Sequence, residues 1–161
     1  MEKNLVIYYS IGGTTEETAK KFKAVGRGNV DLYDVKSSQS IDISKYDKFY
    51  IGSGVYGSNL PEELSTFVNK NKKYINEKKT ILFLHALGSE NKYMDIVRRV
   101  FGSILDVNKC EVYYLGGKAD TGKQILFIRL LIKRLAKKKN LDLLHPNNID
   151  KKNMEKLMQT I

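Results

Sequence analysis

The chain has 161 residues and carries 28 Lys+Arg against 18 Asp+Glu, a formal charge of +10 at pH 7. That length suits one domain with its own core, and a hydrophobic content of 42% excludes a disordered chain. One cysteine, Cys110, and two histidines, His85 and His145, exclude a disulfide scaffold, a thiolate cluster and a histidine-rich metal site, and suit a reducing, cytoplasmic setting.

Three apolar runs read as strands buried on both faces: residues 5–10 (LVIYYS), 48–53 (KFYIGS) and 80–86 (TILFLHA). They are rich in β-branched and aromatic residues and show no polar alternation, as strands inside a parallel sheet do. Two further strands are expected at 29–35 (NVDLYDV) and 110–116 (CEVYYLG). Helical patterns lie between them. The first runs from about Gly13 to Val25, with Ala19, Phe22 and Val25 on one face and a glycine-rich stop at Gly26–Gly28. The second starts at Pro61, a favoured first helical position, and uses Leu64, Phe67 and Val68. The third covers about Lys92–Leu105. Residues 36–47 leave room for one or two helical turns between the second and third strands. Strands alternating with helices imply right-handed βαβ units.

The charge excess is uneven. Residues 1–80 are net +3 and residues 81–161 net +7. Lys123 to Lys139 alone hold Lys123, Arg129, Lys133, Arg134, Lys137, Lys138 and Lys139 with no acid. Interleaved with them are Ile125 to Ile128, Leu130 to Ile132 and Leu135, an apolar arc wider than a sheet-covering helix needs. A break at 140–148 follows, then a short helix from about Ile149 with Met154, Leu157, Met158 and Ile161 on its apolar side. No apolar run approaches the ~18 residues of a membrane span, and the opening MEKNLVIYYS lacks the shape of a signal peptide.

In an open parallel sheet, ligands bind beyond the carboxyl ends of the strands. The loop after the first strand holds Ser10, Ile11, Gly12, Gly13, Thr14 and Thr15 and opens a helix. Two glycines leave backbone N–H groups free to converge on an anion, three hydroxyls add neutral donors, and the helix end adds about half a positive charge. This points to a phosphate monoester. One of Thr14 and Thr15 is also expected to cap the helix, with Glu17 completing a capping box from Thr14.

Two other glycine patterns are weaker. Gly52, Gly54 and Gly57 match G-x-G-x-x-G, but Ser58 to Pro61 intervene before the helix and no acid ends the next strand, so a nicotinamide site is disfavoured. The glycines more simply let the loop pass close to a flat ligand, with Tyr56 available to stack. Gly117 to Gln124 falls one residue short of a triphosphate loop, since Gln124 stands where a magnesium-binding hydroxyl is required. A receiver domain needs acids where this chain has Ser10 and Gly54.

These residues carry a resemblance. Ser10, Gly13, Thr15, Glu16 and Ala19 fit the pattern [S/T]-x-x-G-x-T followed by E-x-x-A, and residues 46–68 (YDKFYIGSGVYGSNLPEELSTFV) fit a second stretch of the same family. The sequence resembles flavodoxin-like FMN-binding domains, nearest the branch of menaquinone-dependent protoporphyrinogen oxidising enzymes. The resemblance implies a single α/β domain over 1–161: a three-layer sandwich with a five-stranded parallel sheet in order 2-1-3-4-5, helices on both faces, and a basic amphipathic insertion helix near 123–139. It also implies that Ser10 to Thr15 hold the FMN phosphate. Gly54, Val55, Tyr56 and Gly57 would line the isoalloxazine, and Ala86, Leu87 and Gly88 would offer backbone groups to its N3/O2 edge. The flavin would supply the redox chemistry; no side chain is required as acid or base, and His85 reads as a satisfied strand-end histidine before a proton donor. No aromatic follows Ala86 until Tyr93, which would leave one flavin face open.

Three functions stay open at this point. One is an FMN oxidoreductase acting on a quinone-like or porphyrinogen-like substrate; another is a flavodoxin-type electron carrier, which the +10 charge disfavours because it repels positively charged partners; the third is a flavin-free basic module binding lipid or nucleic acid. The partners admitted are FMN, a small-molecule or protein redox partner, a second copy of the chain, and the inner face of a membrane touched peripherally through 125–139. Nucleic-acid binding rests on charge alone, without a reader motif.

Overall fold

The three apolar runs and the two further segments form the strands of one parallel sheet, in order β2-β1-β3-β4-β5. The strands are β1 (Asn4–Tyr9), β2 (Val30–Asp34), β3 (Lys48–Gly54), β4 (Lys79–His85) and β5 (Glu111–Tyr114). The computed structural model describes residues 2–88 and 90–161. The order 2-1-3-4-5 that the resemblance implied is therefore the observed one. Strands that are apolar on both faces need cover on both sides, and right-handed crossovers supply it.

Alternate residues of each strand join opposite cores. Leu5 and Ile7 of β1, Phe49 and Ile51 of β3, and Leu82 and Leu84 of β4 belong to one cluster. It is closed by Leu64 and Val68 of α2 (Glu62–Lys70), Ile75 of α3 (Lys72–Glu77) and Val97 and Phe101 of α4 (Tyr93–Phe101). Val6 and Tyr8, Tyr50, and Ile81 and Phe83 form the other. It is closed by Ala19 and Phe22 of α1 (Thr14–Val25) and by Met154 and Leu157 of α6 (Lys151–Met158). Phe22 packs on Tyr50 with ring centroids 4.5 Å apart.

The helices differ in detail from the sequence pattern. Pro61 is the residue before α2 rather than its first turn. The helix α3, in the polar stretch KKYINE, was not foreseen; it is held by the single buried Ile75. The third pattern stops at Phe101 instead of Leu105: Gly102 still donates to the Arg98 carbonyl, but beyond it the Ile104 and Leu105 amides both turn back to the Phe101 carbonyl. β5 stops at Tyr114, short of the expected 116, where Gly116 turns into the left-handed region at φ 65°. The 36–47 link holds one 3-10 turn at Ile43–Lys45, capped by Asp42 accepting from the Ser44 amide. The basic pattern becomes α5 (Leu126–Lys138), of which only Ala136 is buried.

Candidate functional site

The loops after β1, β3 and β4 emerge side by side, because β1, β3 and β4 are neighbours with Tyr9 level with Ser53 and Gly54 level with His85. Direct bonds tie them together. The Ile11 amide donates to the Tyr56 hydroxyl at 3.0 Å, and the Val55 amide donates to the His85 carbonyl at 2.8 Å.

In the first loop Gly13 sits at φ 86° and ψ −14°, a conformation open to glycine at little cost, and it occupies the N-cap of α1. The capping expectation is therefore corrected. Neither Thr14 nor Thr15 caps, and no Glu17 capping box forms, because both threonines are already inside the helix and the cap makes no side-chain bond. Ser10, buried, accepts from the Gly13 amide through Oγ at 3.1 Å and so shapes the turn. Ile11 is exposed. The amides of Gly12, Thr14, Thr15 and Glu16 find no acceptor among the described residues, and Thr15, a buried residue, makes no hydrogen bond there through its hydroxyl either. Both nearby carboxylates are drawn away: Glu16 pairs with Lys20 at 2.6 Å and Glu17 with Lys118 at 2.6 Å. The result is a cluster of donors with little competing negative charge, where a helix N-terminus adds positive potential.

Lys36 belongs to this site and sequence reading missed it. Its ammonium donates to the Ser10 carbonyl and lies 5.4 Å from the Tyr9 ring centroid. The signal was available: Lys36 follows β2, and β2 flanks β1, so the end of β2 must stand beside the first loop.

The second loop is a tight turn. Tyr56 and Asn59 exchange backbone bonds at 2.8 and 3.0 Å, with Gly57 at φ 57° and Ser58 at φ 64° between them. Two consecutive positive φ values mark a type I′ geometry. The Tyr56 ring folds back over Gly54: a Cβ added at Gly54 would lie 2.6 Å from the Tyr56 hydroxyl oxygen. Tyr56 thus bridges the first and second loops and meets Tyr9 edge-on at 6.2 Å. Gly52, the first glycine of the G-x-G-x-x-G match, lies inside β3 under the Phe83 ring and faces no loop.

In the third loop the carbonyls are already engaged. The Tyr114 hydroxyl approaches the Ala86 and Gly88 oxygens at 2.7 and 2.8 Å, Lys139 donates to Gly88, and the Asn148 amide reaches Leu87 at 3.5 Å. The loop's free groups are donors, the Leu87 and Gly88 amides, which make no bond among the described residues. Tyr93 stacks on Tyr114 at 5.4 Å. The Gly117–Gln124 segment, rejected as a triphosphate loop, instead packs Gly117 against Ala86 and spends the Gly122 amide on Asp120.

His85 joins the site from behind. Nδ1 lies 2.9 Å from the Gly116 carbonyl, which only accepts, so Nδ1 carries the proton and Nε2 accepts from the Thr18 hydroxyl at 2.9 Å. Burial pushes its pKa down to about 4. The ring is neutral near pH 7 and both nitrogens are spent, so it positions α1 against the β4 and β5 loops.

A family model described as a flavodoxin domain matches residues 5–142. The chain belongs to the flavodoxin domain family. Among curated proteins none matches it. Solved structures share the fold at low identity. A Lactobacillus acidophilus flavoprotein, solved in complex with FMN, is 18% identical with a TM-score of 0.52, over 73% of this chain and 93% of its own. The oxidised flavodoxin 1 of Bacillus cereus is 19% identical with a TM-score of 0.56, over 99% and 94%. Rubredoxin oxygen:oxidoreductase from Desulfovibrio gigas is 11% identical with a TM-score of 0.58, over 99% of this chain but 34% of its own. The flavodoxin domain's three loops are the part of this fold where the sheet's carboxyl edge, the helix N-terminus and the unspent donors coincide.

Proposed function

We propose that this flavodoxin domain binds FMN and works as an oxidoreductase on a quinone-like or porphyrinogen-like substrate. The observation that carries the reading is the first loop: four amides without an acceptor among the described residues and the Thr15 hydroxyl at a helix N-terminus, all able to donate, with Lys36 at the rim. Such a set suits a phosphate dianion and leaves a carboxylate-poor surface around it. Thr14, Thr15 and Gly12 would hold the phosphate. Tyr56, Gly54, Val55 and Gly57 would border the flavin ring, and the Leu87 and Gly88 amides would face its carbonyl edge. FMN supplies hydride or single-electron transfer when bound. The protein's own part is to fix the nucleotide between three bonded loops and to keep His85 neutral behind them. The donors of the third loop favour electron-rich oxygens on the ring edge. An acceptor of quinone class is supported by the resemblance to menaquinone-dependent enzymes and by the +10 charge, which opposes docking on a basic protein partner.

A carrier role is the second reading, supported by the full-length match to the Bacillus cereus flavodoxin. Reduction assays separate the two: rapid turnover with small quinones supports the oxidoreductase, and reduction of protein acceptors alone supports the carrier.

FMN titration followed by flavin fluorescence tests the site. The wild type should quench the flavin. Thr15→Val should weaken binding roughly tenfold to a hundredfold, the loss of one hydroxyl donor to a charged acceptor, while leaving the thermal transition in place. Lys36→Met should cost about twofold at low salt and less at high salt, because the ammonium is half-exposed. Equal FMN affinity of wild type and Thr15→Val removes the phosphate assignment.

A further inference from the structure

The outward side of α5 is apolar and uncovered. Ile125 is 73% exposed, Leu126 69%, Phe127 68% and Leu130 57%. Leu126 and Leu130 stand one turn apart, as do Phe127, Leu131 and Leu135, so they share one strip. The strip continues off the helix. Thr121, in the turn that launches α5, bonds the carbonyls of Leu143 and Leu144, which brings two more exposed leucines to the helix's N-terminal end. Contiguous apolar surface of this kind marks an interaction site. Beyond it the same helix turns basic. Lys133, Arg134, Lys137 and Lys138 have no acidic partner among the described residues. Arg129, by contrast, is spent on the carbonyls of Thr121, Gly122 and Gln124, which holds the helix in its pose.

We infer that α5 docks on an anionic lipid bilayer, its apolar N-terminal half at the acyl boundary and its basic C-terminal half among the headgroups. Charge complementarity decides the occupant. A second copy would bring the same unpaired cations and another +10 against this face. An anionic leaflet offers negative headgroups and an apolar interior at the spacing one helix presents. The helix lies on the membrane rather than across it. It has 13 residues, and among the described residues no helix is long and apolar enough to cross. Lys139, next to the C-terminal end of α5, donates to the Gly88 carbonyl, so the docked face adjoins the third loop of the candidate site. An acceptor dissolved in the bilayer would then lie near that loop. That last step rests on the FMN reading, and the lipid contact does not.

The test is co-sedimentation of the full chain with vesicles of phosphatidylcholine alone and with added phosphatidylglycerol. Binding is expected to the phosphatidylglycerol vesicles, with a steep fall at high salt and little binding to phosphatidylcholine alone. The double variant Phe127→Ser, Leu130→Ser changes no charge and touches no core, so its circular-dichroism melt should match the wild type. Its vesicle affinity should fall on the order of a hundredfold. Unchanged binding of that variant means that net charge alone attracts the protein and overturns the inference. So does an absence of binding at low salt, and so does a wild-type dimer by light scattering that the double variant converts to monomer, which would mean that a second copy covers the face.

Discussion

Gly52→Ala is expected to lower the stability of the protein by about 3 kcal/mol, near the upper end for forcing a methyl into a packed core. Gly52 is level with Tyr8 of β1 and Phe83 of β4 in the middle of the sheet. A Cβ there would fall 1.9 Å from Cζ of Phe83 and 2.2 to 2.5 Å from two further ring atoms. The ring cannot simply swing aside, because it is packed against Phe22 at a centroid distance of 5.4 Å and is fully buried. The strain must go into β3, β4 or α1, and all three carry the candidate site. Urea unfolding should show a lower midpoint at unchanged slope. The double variant Gly52→Ala, Phe83→Leu should recover part of the loss, since the smaller side chain vacates the space. A shift of the single variant below about 0.5 kcal/mol would mean the ring relaxes freely and the packing account is wrong.

The second large effect is a pH dependence built into His85. Its folded pKa is lowered from 6.5 to about 4, with burial as the largest cause. The unfolded chain therefore binds this proton more readily than the folded chain at any pH between those values. Stability rises with pH across that window. The contribution is fully present above pH 6.5 and is lost as pH falls towards 4, in total about 3 kcal/mol at 1.36 kcal/mol per unit. Protonation would also reverse the bond to Thr18: Nε2–H would donate, and the Thr18 hydroxyl would accept and turn its own proton to the Thr14 carbonyl, 3.3 Å away. His85→Gln, which keeps a side-chain donor and acceptor, should flatten the wild-type slope of unfolding free energy between pH 4.5 and 7. The difference between the two proteins isolates His85 from the carboxylates that titrate nearby. Parallel curves for wild type and variant would show that the buried ring is not the source.

The first of these predictions concerns a residue that the sequence presented as something else. Gly52 stood in an apparent nucleotide fingerprint, and only the register of β3 on β4 shows that it makes room for a ring. His85 was legible as a satisfied histidine at a strand end, but its partners, Thr18 and Gly116, lie 67 and 31 residues away. Tyr56 was expected in the loop after the third strand and lies there. Its reach across to the Ile11 amide depends on two strands being neighbours, which no local pattern records.

What the amino-acid sequence determined by itself is the architecture. Strands apolar on both faces, separated by helical periodicity, require a parallel sheet covered by helices on both sides once crossovers are right-handed; the order 2-1-3-4-5 came from the resemblance to flavodoxin-like domains and is the observed one. It also pointed to the first loop as the candidate site, because glycine and hydroxyl residues between a strand and a helix act through local geometry. Tertiary structure decided everything that needed two distant segments in register. It brought Lys36 to the rim, engaged the third loop's carbonyls with Tyr114 and Lys139, and left the outer face of α5 bare. A wide apolar arc on a helix reads the same in sequence whether the fold covers it or not; whether it is covered depends on which neighbours the sheet supplies, and here α6 takes the place over the sheet while α5 stands outside.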